Sequence, residues 1–215
     1  MNQKTIFISS LALVVLLFVG GTLFYNQTQS AKHKEQAAAN LTKLIRQGAP
    51  TKGDPNAKVQ IVEFFDPACG TCARFHPFVE DLIAKNPGKI KIMARYAPFH
   101  KGSDYMVKIL EAARMQGKFW QTLEIMFATQ SEWASHSDPQ PQRIWNYLGS
   151  VGLDMEKMGA DLNSPEIDRI IKQDLQDAAD LKVTKTPEFF VNGRPLPRFG
   201  YDPLRDLVAE EISLN

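Results

Sequence analysis

Short runs of β-branched and aromatic residues alternate with stretches of helical periodicity over most of this chain. Residues 58–65 (KVQIVEFF) predict a buried strand, and residues 89–96 (KIKIMARY) alternate like a second strand. The apolar positions of residues 73–85, between the two, have helical spacing. Strand character returns at residues 188–191, directly before Asn192-Gly193, a pair typical of hairpin turns. These elements predict an α/β sheet.

The stretch between the second and third predicted strands is helical throughout. From about residue 103 to about residue 182 the apolar positions follow helical rather than strand spacing. Shorter helices are predicted over residues 142–148 and 155–162, and Ser164-Pro165 is a start signal for a longer helix. A last helix is predicted over residues 203–212. The fold class is therefore an α/β sheet interrupted by an all-helical insertion.

The N-terminal quarter of the chain divides into an apolar segment and a polar tether. Residues 1–25 carry about twenty mostly apolar residues after Lys4, a length close to that of a membrane span, which predicts a signal anchor or a cleaved signal peptide. A buried core helix is a third reading. Lysines lie on both flanks, so they orient the segment only weakly. Residues 26–52 are expected to form a partly helical tether, and residues 53–215 the folded domain.

Charge and cysteine content narrow the possible functions. With 25 basic and 24 acidic residues the net charge is +1, and there is no basic stripe interleaved with aromatic residues, so nucleic-acid binding is disfavoured. The hydrophobic fraction of 44% is enough for a core without a stapling disulfide. Only two cysteines occur, Cys69 and Cys72, and a disulfide between them would close too short a loop to stabilise the fold. The pair therefore indicates chemistry.

A Cys-x-x-Cys motif at the start of a helix is typical of thiol–disulfide exchange. The first sulfur lies beside unpaired backbone N–H groups and the positive end of the helix dipole, both of which stabilise a thiolate. Cys69 is therefore the expected attacking residue, and Cys72 the one that resolves the mixed disulfide. A zinc site would need two further ligands, and only His76 lies near. Haem attachment would need histidine at position 73, which is alanine.

Three other features of the sequence are compatible with redox chemistry. Glu63 lies inside an otherwise apolar strand, where burial would raise its pKa and make it a proton acceptor for Cys72; the alternative is an edge-strand glutamate facing water. Pro77 would kink the helix that follows the cysteines, or else end it. Thr186-Pro187 precedes the third strand. A cis peptide bond there would turn the backbone of Thr186 towards the cysteines, where it could pair with an extended substrate segment. The alternative is a trans proline that opens the strand.

Two segments together resemble the DsbA-like disulfide oxidoreductases of the thioredoxin superfamily. They are E-F-F-D-P-A-C-G-T-C-A-R-F-H-P, residues 63–77, and T-P-E-F-F-V-N-G, residues 186–193. The resemblance implies a thioredoxin fold with a helical insertion, preceded by a transmembrane or signal helix, and it implies no cofactor. The motif places the family's strand acid at Glu63 and its cis-proline at Pro187. Gly70-Thr71 stands where strongly oxidising members carry Pro-His, which implies a less extreme oxidant.

The function that the resemblance implies is disulfide exchange outside the cytoplasm. We expect a dithiol oxidase of exported client proteins, anchored to the inner membrane by residues 6–25 and reoxidised by a DsbB-type membrane partner. Thr186 is also found in isomerase and reductase branches, so a reductase or isomerase kept reduced by a DsbD-type partner is the second hypothesis. A copper-handling thiol chaperone is the third.

Overall fold

The computed structural model describes residues 3–135 and 137–214, apart from the side chains of residues 3–12, 14, 15, 26, 30 and 33. Within this part of the chain, no helix is both long enough and apolar enough to cross a membrane. The anchor predicted over residues 6–25 falls partly on side chains outside the described set, and it stays a prediction.

Five strands form one mixed sheet in the order β1-β3-β2-β4-β5. Their bounds are Thr51–Gly53 for β1, Val59–Phe65 for β2, Ile90–Tyr96 for β3, Glu188–Val191 for β4 and Arg194–Pro195 for β5. β2 lies at the centre, parallel to β3 and antiparallel to β4, while β1 joins β3 antiparallel at the edge. A central strand covered on both faces explains the nearly unbroken apolar run of β2.

Nine α-helices are described. The first two are α1, Gln3–Leu44, and α2, Gly70–Lys85. The described residues between β3 and β4 contain no strand and form helices with two 3₁₀ turns, Pro141–Ile144 and Gly149–Val151. The helices of this stretch are α3 (Ser103–Met115), α4 (Phe119–Ala128), α5 (Gln130–Trp133), α6 (Trp145–Leu148), α7 (Met155–Asp161) and α8 (Pro165–Asp180), and α9 (Tyr201–Leu214) closes the chain.

Local boundaries differ from the expectation in three places. The helix predicted over residues 142–148 is a 3₁₀ turn followed by the four-residue α6. β1 begins at Thr51, inside the segment predicted as a tether, because three residues are too few to show a strand pattern but enough to pair with β3. α1 continues without a break to Leu44, since residues 26–44 contain neither glycine nor proline.

The end of α1 is built into the domain. Leu44 is fully buried, and Nη1 of the buried Arg95 donates to the carbonyl oxygens of Lys43 and Leu44 at 2.8 and 2.7 Å. Nε of Arg95 also donates to Asp174 of α8 at 2.9 Å, and Asp177 accepts from its Nη2. One buried guanidinium therefore joins β3, α1 and α8, and its charge is neutralised by carboxylates as burial requires.

Candidate active site

The chain enters α2 through a tight loop that leaves the first turn of the helix open. Cys69 is the N-cap residue, in an extended conformation (φ −78°, ψ 114°), and no side chain caps the helix. The backbone N–H of Cys69 donates to the Asp66 carbonyl at 3.0 Å, which folds the chain back before the helix starts. Because no side chain occupies the first-turn amides, they are available to stabilise an anion at position 69.

The Cys69 sulfur lies between α2 and the loop that precedes β4. The residue is 7% exposed, and Sγ donates to the carbonyl oxygen of Thr186 at 3.3 Å. The Thr186–Pro187 peptide bond is cis, so the trans alternative is wrong. The pKa of Cys69 falls from 9.0 to about 5, chiefly because the Cys72 thiol donates a hydrogen bond to its sulfur. Hydrogen bonds from the Thr186 side chain and from the backbone amides of Thr71 and Cys72 lower the pKa further, whereas burial opposes the fall.

Cys72 has the opposite character. It lies one turn into α2 and is fully buried, and both cysteines are free thiols in this structure. Burial raises the pKa of the Cys72 thiol well above 9.0, reinforced by its hydrogen bond to Cys69 and by the charge of Glu63. The pair therefore holds one acidic sulfur in a residue that is 7% exposed and one protonated sulfur in a residue that is fully buried, the asymmetry that attack and resolution require.

Glu63 lies on the central strand β2, and its charge interacts with both cysteines. Its neighbours across the sheet are Ala94 of β3 and Phe189 of β4, and only 7% of the residue is exposed. The edge-strand alternative is therefore wrong. Burial raises the pKa of Glu63 from 4.5 to about 8, and the negative charge of Cys69 adds to the rise. A carboxyl group with this pKa can both take and give a proton near neutral pH.

Pro77 lies inside α2, which continues to Lys85, so the reading in which the proline ends the helix is wrong. The structure brings Glu63, Cys69 and Cys72 together with Thr186 and Pro187, which lie in a distant segment of the sequence. Among the described residues, no group of three or more His, Cys, Asp or Glu side chains is placed to hold a metal ion.

A buried carboxylate that the sequence analysis did not single out organises the approach to the cysteines. Asp66 is fully buried and accepts the backbone N–H groups of Ala68, Phe99 and His100 at 2.7–2.8 Å. It also accepts from the Ser103 hydroxyl, and one of its oxygens lies 2.8 Å from Nδ1 of His100. The loop before Cys69 is thus fixed to the loop that opens α3. An isolated Asp-Pro reads only as a turn, so no sequence signal indicated this role.

Two further side chains flank the dipeptide between the cysteines. Gln130 of α5 donates to the Pro67 carbonyl at 2.8 Å, and Arg74 of α2 donates to the Thr71 hydroxyl at 2.9 Å. A Cβ atom at Gly70 would lie 3.6 Å from the Arg74 guanidinium and 3.7 Å from the Gln130 amide oxygen. The active-site turn is therefore held from the insertion on one side and from its own helix on the other.

Comparison with known proteins agrees with this geometry. A family model described as Thioredoxin matches residues 45–209. A thioredoxin-like oxidoreductase from Silicibacter pomeroyi DSS-3 superposes with a TM-score of 0.67 and 27% identity, over 79% of this chain and 95% of the other. For the thiol-disulfide exchange protein alpha-DsbA2 from Wolbachia pipientis the TM-score is 0.69 at 23% identity, over 85% and 97% of the two chains.

The similar curated sequences are parts of longer proteins. The Na(+)/H(+) antiporter NhaA of Herminiimonas arsenicoxydans is 32% identical over 151 residues, which are 70% of this chain and 23% of the antiporter. The chain thus spans about a quarter of the length of the curated relatives that it matches.

Proposed function

The chain belongs to the thioredoxin family and has a DsbA-like fold, and from that premise we propose that it is a thiol:disulfide oxidoreductase that acts as a dithiol oxidase. Its clients are exported proteins with pairs of reduced cysteines, and it leaves those pairs as disulfides. The observation that carries the proposal is the lowered pKa of Cys69 beside the raised pKa of Cys72.

The lowered pKa favours the reduced protein and so makes the oxidised protein a better oxidant. At pH 7 a thiol of pKa about 5 is almost wholly ionised, whereas one of pKa 9.0 is almost wholly protonated. Ionisation stabilises the reduced state by about 1.4 kcal/mol for each of the two pH units between 5 and 7, or about 2.7 kcal/mol. For a two-electron couple this is about 60 mV towards oxidation of clients.

The reaction begins with the Cys69–Cys72 disulfide. A client thiolate attacks Sγ of Cys69, which forms the mixed disulfide, and Cys72 leaves as a thiolate that takes its proton from the Glu63 carboxyl. The second client thiol passes its proton back to the Glu63 carboxylate, which becomes neutral again, and the resulting client thiolate attacks the client sulfur of the mixed disulfide. The client disulfide forms, and Cys69 departs as the thiolate that the first turn of α2 and Thr186 stabilise. Two electrons pass from client to protein.

Reoxidation and location complete the proposal. A DsbB-type membrane protein would regenerate the Cys69–Cys72 disulfide, in a periplasmic or other extracytoplasmic compartment where disulfides persist. Residues 6–25 would hold the domain at the inner membrane. The competing hypotheses predict other outcomes: a reductase or isomerase would be kept as a dithiol by a DsbD-type partner, and a copper chaperone would bind Cu(I) tightly without turnover.

The decisive test traps the redox state of the pair in cells by alkylation and measures the equilibrium potential of the couple against glutathione. We expect Cys69 and Cys72 to be a disulfide in cells, and Cys69→Ser to abolish client oxidation because the Cys69–Cys72 disulfide that clients attack can no longer form. A dithiol in cells, with a potential as reducing as that of thioredoxin, would overturn the oxidase assignment. Exchange activity in Cys69→Ser would overturn the choice of attacking sulfur.

A further inference from the structure

Two exposed aromatic rings and two cations form a continuous surface next to the reactive sulfur. We call Arg74, Lys185, Phe199 and Tyr201 the aromatic–basic rim. Both rings pack on Phe75 of α2, at centroid distances of 4.2 Å for Tyr201 and 5.0 Å for Phe199, yet the two residues stay 41% and 45% exposed. Lys185 Nζ lies 5.6 Å from the Phe199 ring, and the Tyr201 hydroxyl donates to the Arg74 carbonyl at 3.4 Å.

The rim meets the active site at both of its cationic ends. Lys185 directly precedes Thr186, whose carbonyl oxygen accepts from Sγ of Cys69. Arg74 donates to the hydroxyl of Thr71, which lies between the two cysteines. A client segment that reaches Cys69 along Thr186 therefore passes between one basic residue in the loop before β4 and another on α2.

The rim is positive towards solvent. Arg74 and Lys185 are exposed, and neither makes an ion pair with any carboxylate of residues 3–135 and 137–214. The nearest acid in sequence, Glu188, is half-buried, and burial raises its pKa although the charge of Lys185 opposes the rise. Asp202 is held in an ion pair within its own helix, and Arg198 adds a third exposed cation in the loop before α9.

We propose that Arg74 and Lys185 select clients that carry an acidic side chain within about two residues of the reactive cysteine. The proposal rests on the proposed oxidase function and names its preferred substrate. A carboxylate at that position can reach one of the two cations while the client backbone lies along Thr186. Phe199 and Tyr201 offer apolar surface to every client, so they add affinity without distinguishing the charge.

The test uses the full chain and three dithiol peptides that differ only in the residue next to the first cysteine, which is Glu, Gln or Lys. For each peptide, the rate constant for its reduction of the oxidised protein is divided by the rate constant for its reduction of uncharged hydroxyethyl disulfide. This division is needed because a neighbouring charge also changes the reactivity of the peptide's own thiol. The variants are Arg74→Gln, Lys185→Gln and both together. Lys172→Gln, an exposed charge change on α8, is the matched control.

For the unaltered chain at about 20 mM salt, we expect the normalised rate constant of the Glu peptide to be about tenfold higher than that of the Lys peptide. Each of the two cations should contribute roughly threefold. The preference should fall to about twofold at about 500 mM salt, and to about one in the double variant. Lys172→Gln should keep the full preference. Equal normalised rates for the three peptides would overturn the proposal while leaving the oxidase function intact, whereas failure to oxidise any peptide would overturn the oxidase function itself.

Discussion

Replacing Glu63 by glutamine should stabilise the reduced protein, and increasingly so as the pH rises. The carboxyl group is buried on the central strand, and its pKa is about 8 instead of 4.5. Between these two values the folded protein holds a proton that the unfolded chain has lost. The free energy of unfolding therefore falls as the pH rises through this range, and it levels off above a pH of about 8.

The size of the effect follows from the two pKa values. Each pH unit inside the window costs about 1.4 kcal/mol, so the cost of Glu63 is about 1 kcal/mol at a pH of about 5 and about 4 kcal/mol at a pH of about 8. Glutamine has no proton to lose. The difference in unfolding free energy between Glu63→Gln and the unaltered chain should thus grow by about 3 kcal/mol between those two conditions. This change with pH is a better measure than the difference in unfolding free energy at either pH alone, because any constant cost of burying the glutamine amide is the same at both pH values and cancels.

Urea unfolding of both proteins under a reducing agent, at several pH values between about 5 and about 8.5, measures this difference. Glu35→Gln, an exposed change on α1, is the matched control. A second series in the Cys69→Ser background removes the charge of the neighbouring thiolate; most of the growth should survive there, because burial is the larger cause of the raised pKa. A difference that stays constant with pH would refute a neutral, buried Glu63.

Three further substitutions test other parts of the structure. Cys72→Ser should accumulate mixed disulfides with client proteins on non-reducing gels, and a failure to trap any would refute its resolving role. Asp174→Asn removes one of the two α8 carboxylates that pair with the buried Arg95, and it also removes the partner of Arg46. It should cost about 3 kcal/mol in urea unfolding, and a loss below about 1 kcal/mol would show that this pair is dispensable. Gly193→Ala places a methyl group against the Ala37 carbonyl of α1, at a backbone φ of +85° that alanine rarely adopts. The clash should loosen the packing of α1, so limited proteolysis should cut near residues 26–47 faster. An unchanged cleavage rate would contradict the packing of α1.

The sequence predicted those parts of the site that depend on local pattern. A Cys-x-x-Cys pair before a helical stretch determines that Cys69 caps the helix and that Cys72 lies one turn inside. The apolar residues on either side of Glu63 likewise indicated that this carboxyl group points into the protein. Both features are set by residues within about one turn or one strand of each other, and periodicity describes that range well.

Features that depend on contacts between distant segments were not predictable in the same way. Asp66 owes its role to Phe99, His100 and Ser103, more than thirty residues later, and nothing in an Asp-Pro pair indicates how many donors will surround it. The end of α1 is fixed by Arg95, which in the sequence is only one charged position near the end of a strand. Such residues are identified by burial and by hydrogen bonds, which only the folded chain provides.

The two sides of Cys69 differ in charge, and this difference favours the departure of its sulfur as a thiolate. Beneath it lie Cys72, whose pKa is raised, and Glu63, which is largely protonated at neutral pH, so the buried side holds little charge to repel a thiolate. Beside it, the first turn of α2 and Thr186 supply donors. Stabilisation therefore acts on the sulfur only when it leaves as an anion, at the moment when the client disulfide is complete. A charged Glu63 would oppose that departure, so a protonated Glu63 favours release of the completed client disulfide.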